Sequence, residues 1–190
     1  MRQEFSRRDS PRTGQSMQMV DWVFILAIEL VVITFVVWIA WSGVVGAPWL
    51  PTPKSKVRAM LEIAEVNRGD TLVDLGSGDG RIIVMAAKEF GAKSIGIEVD
   101  PLRLLWSRFS IRRHRLSQMV RVIRANFFKI NVEDATVVTL YQGHEINKKI
   151  RDKLASELKA GTRVVSYRFI LDGWTPTKMN DDHSIYLYVV

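Results

Sequence analysis

With 190 residues, the chain has room for one domain plus an appendage. The absence of Cys excludes disulfides, thiolate metal sites and cysteine nucleophiles. Of 27 basic and 20 acidic residues, four of each lie in the first 53, so the whole formal charge of +7 belongs to residues 54–190, which favours anionic partners.

Residues 1–19 form a polar basic tail carrying Arg2, Arg7, Arg8 and Arg12. From Trp22 to Trp41 there are 20 residues, of which thirteen are Val, Ile, Leu or Phe, enough for roughly 30 Å of helix and one bilayer core. At about −0.3 to −0.6 kcal/mol each they outweigh Glu29, which costs on the order of 3 kcal/mol at a helix centre. A transmembrane helix over 20–42 is therefore expected, with Trp22 at one end and Trp38, Trp41 and Trp49 near the other as an interfacial belt. A secretory signal peptide is the competing reading, but its apolar core runs about 7 to 15 residues and this one is longer. Glu29 is either an intramembrane carboxylate that meets a partner helix or a protonated acid held off-centre. Gly43, Gly46, Pro48, Pro51 and Pro53 make 43–53 a helix-breaking linker.

The remaining residues, 54–190, read as one domain. Lys56–Val66 has helical spacing, Arg68-Gly69-Asp70 makes a turn, and Thr71–Leu75 is a buried strand. It runs directly into Gly76-Ser77-Gly78-Asp79-Gly80 and then an apolar helix from Arg81 to Glu89. Strand, glycine loop and helix in that order make a nucleotide-type site: the glycines allow a tight turn and close approach, and helix-terminal N–H groups face the ligand. A dinucleotide fingerprint needs a glycine three residues after Gly78, where Arg81 stands. Asp74 and Asp79 would repel a pyrophosphate but attract a sulfonium and an α-ammonium, which favours S-adenosylmethionine over a nicotinamide dinucleotide. A second strand, Ser94–Glu98, ends in an acid 24 positions after Asp74, where a ribose-binding carboxylate belongs.

The run Val73–Arg81 followed by Gly96-Ile97-Glu98 resembles the first two motifs of the seven-strand S-adenosylmethionine-dependent methyltransferases. More narrowly, the apolar anchor, the Pro51-Thr52-Pro53 approach, the glycine loop, and Arg168-Phe169 followed by Trp174-Thr175-Pro176 resemble the membrane-anchored protein-lysine methyltransferases that modify the ATP synthase c subunit or the adenine nucleotide translocase. The resemblance covers roughly residues 20 to 180 in order. It implies a doubly wound, mainly parallel α/β sheet of the class I methyltransferase (Rossmann-like) type, S-adenosylmethionine as cofactor, and cofactor contacts at Asp74, Gly76, Ser77, Gly78, Asp79, Gly80 and Glu98. It also implies an adenine-side contact after the third strand, Val120–Ile123; the matching residue is Asn126, where relatives often carry an acid.

The fourth strand, Thr136–Leu140, leads into Tyr141-Gln142-Gly143-His144-Glu145, where this fold places its acceptor site. Tyr141 is the candidate catalytic and acceptor-site residue, as aromatic wall or hydroxyl; an ordinary packed Tyr is the alternative. His144 is a base or plain polar surface. Arg168, Phe169 and Trp174 shape the acceptor channel on the resemblance, or cap the core. No Asn-Pro-Pro-Tyr run stands here, which argues against methylation of DNA bases.

From Pro101 to Asn131 there are eight basic residues and no acidic one. Leu102, Leu105, Trp106 and Phe109 mark an apolar helical face, so this face is expected inward and the basic residues outward, solvated or resting on anionic lipid. No nucleic-acid motif accompanies the run, so nucleic acid is not the expected partner. The last strands are expected at Thr162–Tyr167 and Ser184–Val190, with an abbreviated final crossover and no separate substrate domain.

The expected activity is protein-lysine N-methylation of a membrane protein by a single-pass enzyme in contact with the lipid bilayer. Two readings stay open: a methyltransferase for RNA or a membrane-associated small molecule, and a tethered, non-catalytic cofactor-binding module. The catalytic domain is expected on the cytoplasmic side, where the cofactor is kept; basic residues flank the span equally and do not decide orientation.

Overall fold

The computed structural model describes residues 19–45 and 50–190, with side chains over 21–37 and 50–190. The polar tail through residue 18, Gly46, Pro48 and Trp49 lie outside the described residues, as do the side chains of Trp38 and Trp41. The chain divides into two compact units, 1–45 and 46–190.

In the first unit α1 (Met19–Val45) is a helix of 27 residues, about 40 Å long at 1.5 Å per residue. Asp21 stands in its first turn, where a carboxylate complements the helix dipole. Thr34 Oγ1 donates back to Leu30 O at 2.7 Å, so this hydroxyl is satisfied within the helix. Among the described residues no helix is long and apolar enough to cross a membrane; the described side chains of α1 stop at Val37, short of the 20 or so residues a bilayer core requires.

The second unit alternates helices and strands: α2 (Lys54–Ile63), β1 (Thr71–Leu75), α3 (Arg81–Phe90), β2 (Lys93–Glu98), α4 (Pro101–Arg113), β3 (Val120–Arg124), β4 (Val137–Leu140), α5 (His144–Glu157), β5 (Arg163–Tyr167), β6 (Lys178–Asn180) and β7 (Ile185–Val189). They build one seven-stranded mixed sheet in the order β3-β2-β1-β4-β5-β7-β6. Strands β1 to β5 are parallel, whereas β7 runs antiparallel between β5 and β6. The short stretch between β5 and β7 holds β6, which turns back through Asp181–His183 to pair antiparallel with β7. Strand β6 went unforeseen in the sequence.

Parallel central strands are covered on both faces, so their sequences are almost continuously apolar. Alternation sorts the core into two layers. Leu72, Val137, Val165 and Leu187 face α2, α3 and α4, while Val73, Leu75, Val138, Leu140 and Tyr188 face α5 through Ile150 and Leu154. The α4 expectation is corrected here. Leu104, Ser107 and Ile111 are its buried positions, whereas Leu102, Leu105, Trp106 and Phe109 are 52%, 63%, 62% and 56% exposed. Helix α4 carries two stripes, and the weaker one packs. The basic residues Arg108, Arg112, Arg113 and Arg115 are exposed as expected.

Candidate active site at the carboxyl end of the parallel strands

The crossover reverses between β1 and β4, and in open α/β sheets the ligand crevice lies outside the carboxyl ends of the strands at that point. The loop after β1 occupies it. Gly76, Gly78 and Gly80 all have left-handed φ (82°, 55° and 79°), a conformation that costs a side-chain-bearing residue about 1–2 kcal/mol. The loop is stitched to β2: Gly76 N and Ser77 N both donate to Ile97 O, at 2.9 and 3.0 Å. Gly78 N donates to Glu98 Oε2 at 2.8 Å.

Glu98 is buried, and its other oxygen accepts from Val99 N at 3.0 Å and Asp100 N at 2.9 Å. Three of roughly four acceptor sites of the carboxylate are thus taken by backbone, which leaves Oε2 room for one further donor rather than for two separate hydroxyls. Ser77 Oγ is buried beside the loop with no hydrogen-bond partner among the described residues. A buried hydroxyl without a partner costs about 1–3 kcal/mol, which a polar ligand would offset.

Asp74 lies on β1 opposite Gly96 and Thr139. Burial pushes its carboxyl up to about 7, the Thr139 hydroxyl bond (2.8 Å) opposes the rise, and the charges of Glu98 and Asp79 add to it. The folded state therefore holds a proton that the unfolded chain releases near its ordinary value of 3.8. The contribution of Asp74 to stability is greatest below that value, falls as pH rises towards 7, and is lower above it by on the order of 4 kcal/mol. Asp74→Asn is expected to abolish this fall, so that urea unfolding at pH 8 shows a more stable variant with weaker cofactor binding. Equal pH dependence in the two proteins would contradict the assignment. A cation beside Asp74 favours its ionised form, so affinity for a positively charged ligand is expected to rise with pH through 7.

The Asp79 carboxylate is paired with Arg81, with Nε 2.9 Å from Oδ1 and Nη2 2.5 Å from Oδ2, so an ammonium group would share it with that guanidinium. Arg81 Nη1 also donates to Thr52 O at 2.7 Å, which fastens the Pro51-Thr52-Pro53 approach to the loop. Asn126 is exposed, and its Oδ1 accepts from Phe128 N at 2.9 Å as the cap of the turn at Phe127–Lys129. Its amide N–H groups, more than its oxygen, are what remain for a base edge.

Gln142 was not singled out in the sequence. It is buried at the end of β4, and its Nε2 donates to Leu75 O at 2.9 Å, closing the exit of β1. A Cβ on Gly76 would stand 2.3 Å from that nitrogen. A polar residue two positions after a wholly buried strand was the available signal.

On the acceptor side, Tyr141 stacks on Phe169 (centroids 6.2 Å apart, 23° between planes) and meets Tyr167 edge-on at 4.7 Å. Arg168 Nη1 donates to Tyr141 Oη at 3.3 Å. Arg168 is a non-glycine residue with φ 67°, a strained backbone of the kind that persists where surrounding structure holds it. The surroundings do: Ser184 O accepts from Arg168 N at 2.7 Å, Asn147 Nδ2 donates to Phe169 O and Ile170 O, Ser166 Oγ donates to Phe169 O, and Tyr188 Oη accepts from Leu171 N at 3.0 Å. Trp174 packs edge-on against Tyr188 (5.9 Å) on the core layer beneath α5, as the core-capping alternative has it. His144 Nε2 lies 3.0 Å from Asp172 Oδ2 at the start of α5, both partly solvent-exposed. A cleft of about 360 Å³ lined by Thr71, Lys93, Ser94 and Arg121 sits at the opposite, amino-terminal end of the strands, away from this chemistry.

The RNA methyltransferase of Salinibacter ruber, solved with S-adenosyl-L-homocysteine, has the same fold, with a TM-score of 0.73 and 38% identity over 74% of this chain and 94% of that one. With the glycine loop and Glu98, this defines an S-adenosylmethionine-dependent methyltransferase. Residues 74–178 match the model of the ANTKMT methyltransferase domain, and the chain belongs to that family. It is 40% identical to a protein-lysine N-methyltransferase of Saccharolobus islandicus (strain REY15A) over 78% of this chain and 97% of that protein. It is 30% identical to the ATP synthase c-subunit lysine N-methyltransferase of Xenopus laevis, covering 68% of this chain and 56% of the frog enzyme. The chain thus spans nearly all of the archaeal relative and little more than half of the animal one.

Proposed function

We propose that this chain methylates the ε-amino group of a lysine in a membrane protein, held at the bilayer by α1. The observation that carries this reading is the apposition of two built halves on neighbouring strands: the glycine loop locked to Glu98 after β1 and β2, and the aromatic pair Tyr141–Phe169 with Arg168 after β4 and β5. The donor set fits an S-adenosyl ligand: Glu98 Oε2 and the unpartnered Ser77 hydroxyl suit polar hydroxyl and amino groups, and buried Asp74 suits a positive charge. When bound, S-adenosylmethionine supplies a methyl carbon carried on a positively charged sulfur.

The remaining work falls to this chain's residues. A lysine side chain has a pKa of about 10.4 and must be neutral to act as a nucleophile. Tyr141 and Phe169 present aromatic faces that strip water from an incoming amine, and the Arg168 guanidinium adds a like charge; both effects favour the neutral form. His144 Nε2 faces the Asp172 carboxylate, which leaves Nδ1 as the ring nitrogen that could accept a proton. The relatives named for lysine methylation support this acceptor. The Salinibacter ruber neighbour and the basic run after Pro101 favour RNA as the second reading.

The membrane part of the proposal rests on the apolar sequence from Trp22 to Trp41 and the 27-residue length of α1. The tail is proposed to lie outside and the catalytic unit on the cytoplasmic side, so protease added to sealed vesicles should trim the tail. Protection of the tail would overturn that orientation.

Membranes incubated with the chain and methyl-labelled S-adenosylmethionine should yield a product that protease destroys and nuclease leaves intact, containing labelled methyllysine after acid hydrolysis. Label released by nuclease would establish the RNA reading instead. Tyr141→Ala is expected to cut this transfer by about tenfold to a hundredfold, the size of a lost positioning contact, while calorimetry shows unchanged binding of S-adenosylhomocysteine. Full transfer by the variant would remove Tyr141 from the acceptor site.

A further inference from the structure

Helix α4 presents an apolar stripe to the outside. Leu102 stands three and four residues before Leu105 and Trp106, and Phe109 four and three after them, so the four share one side of the helix, opposite the buried positions Leu104, Ser107 and Ile111. All four are more than half exposed, and the Trp106 and Phe109 rings lie 6.2 Å apart. At 100° per residue, Arg108 and Arg112 run along one border of the stripe and Arg113 prolongs it. Residues 101–131 contain no acid, so nothing in the run offsets these charges. Val99 and Phe128, exposed after the paired strands β2 and β3, extend the apolar surface at the carboxyl edge of the sheet.

We propose that α4 is a second membrane contact: it lies on an anionic lipid surface with Leu102, Leu105, Trp106 and Phe109 sunk into the headgroup boundary and the bordering arginines on lipid phosphates. Apolar side chains on one side of a helix with cationic borders are the composition of an interfacial helix, and Trp and Phe are the residues that settle at that depth. Charge complementarity selects the partner. A nucleic acid would engage the arginines but leave Leu102 and Leu105 in water, and a second copy of this chain would set basic borders against each other. The contact goes beyond the lysine acceptor and does not depend on α1 spanning the bilayer. It begins three residues after Glu98, so it would hold the edge that carries the cofactor loop and the acceptor cluster at the membrane.

The absence of Cys makes the test direct. The full chain carrying Leu105→Cys, Lys149→Cys on α5, or Ile28→Cys on α1 is labelled with an environment-sensitive fluorophore and reconstituted in vesicles of phosphatidylcholine with or without phosphatidylglycerol. The label at 105 is expected to shift to the blue and to be quenched about twofold or more by headgroup-proximal spin-labelled lipid in the anionic vesicles only, as for a side chain seated about 5–10 Å deep. The label at 149 should be unaffected. An unquenched label at 105 overturns the proposal, as does equal quenching in neutral vesicles, or a shift produced without lipid by RNA or by added unlabelled chain. Quenching at 28 reports α1 separately, so failure of the anchor and failure of the α4 contact are distinguishable.

Discussion

Glu98→Ala is expected to weaken binding of S-adenosylhomocysteine by about a hundredfold or more, which corresponds to roughly 2.7 kcal/mol, and to lower the unfolding midpoint at the same time. One carboxylate serves two purposes. Its free acceptor position is the strongest anchor the site offers a hydroxyl, and hydrogen bonds to charged groups contribute about 1.5–3 kcal/mol. The same group takes the backbone N–H groups of Gly78, Val99 and Asp100. Truncation leaves these donors with no acceptor from the side chain, at about 1–3 kcal/mol for each that stays buried. Gly78 then loses its tie to β2, and the loop loosens before any ligand arrives. Glu98→Gln separates the two effects, because its carbonyl still accepts while its amide faces backbone donors. It should fall between the native chain and the Ala variant in both readouts. Calorimetry and thermal unfolding that leave Glu98→Ala indistinguishable from the native chain would take this residue out of the site.

Gly96→Ala is expected to disrupt the same loop from below, by volume alone. Gly96 sits mid-strand in β2 between Asp74 and Val122, and its backbone is not among the positive-φ residues, so no conformational strain accompanies the change. An added Cβ would stand 2.5 Å from Ser77 Oγ, 2.7 Å from Ser77 Cβ and 2.9 Å from Ile83 Cδ1. All three distances are shorter than van der Waals contact allows, and overpacking of this kind costs about 1–3 kcal/mol. The relief is displacement of the glycine loop and the first turn of α3, so cofactor affinity should drop about tenfold or more as stability falls. Adding Ser77→Gly removes two of the three clashes and should recover part of the stability, though not the affinity, since the Ser77 hydroxyl leaves with it. Urea unfolding that shows Gly96→Ala as stable as the native chain would refute the close approach.

The parts of the site that lie along the chain were readable in the sequence. Thr71–Leu75, the five-residue glycine loop and Arg81–Phe90 follow one another without interruption, and a buried parallel strand, a positive-φ turn and a packed helix each impose their own residue types. What depends on the third dimension was not. Periodicity marks an apolar stripe on α4 but cannot say which stripe packs; the structure buries Leu104, Ser107 and Ile111 because they face α3 and β3, and leaves the richer stripe outside. Strand β6 consists of Lys178, Met179 and Asn180 at the sheet edge, with no core face to give it a hydrophobic pattern. Gln142 matters only because the β1–β4 register sets Leu75 beside Leu140. Asp79 counts as a free acid in a charge tally and ceases to be one when the turn brings Arg81 onto it. Trp174 shares a segment with Arg168 and Phe169, but the chain turns at Gly173 and the ring enters the other core layer.

The most direct test of the site is calorimetry of the full chain in lipid nanodiscs, titrated with S-adenosylmethionine, S-adenosylhomocysteine and a nicotinamide dinucleotide at pH 6 and pH 8. A loop locked to Glu98 beside a carboxyl that ionises near 7 should take both S-adenosyl ligands and ignore the dinucleotide, with the sulfonium form gaining more affinity than the product, whose sulfur is neutral, as pH rises. Uptake of the dinucleotide with neither S-adenosyl ligand bound would contradict the reading of this site.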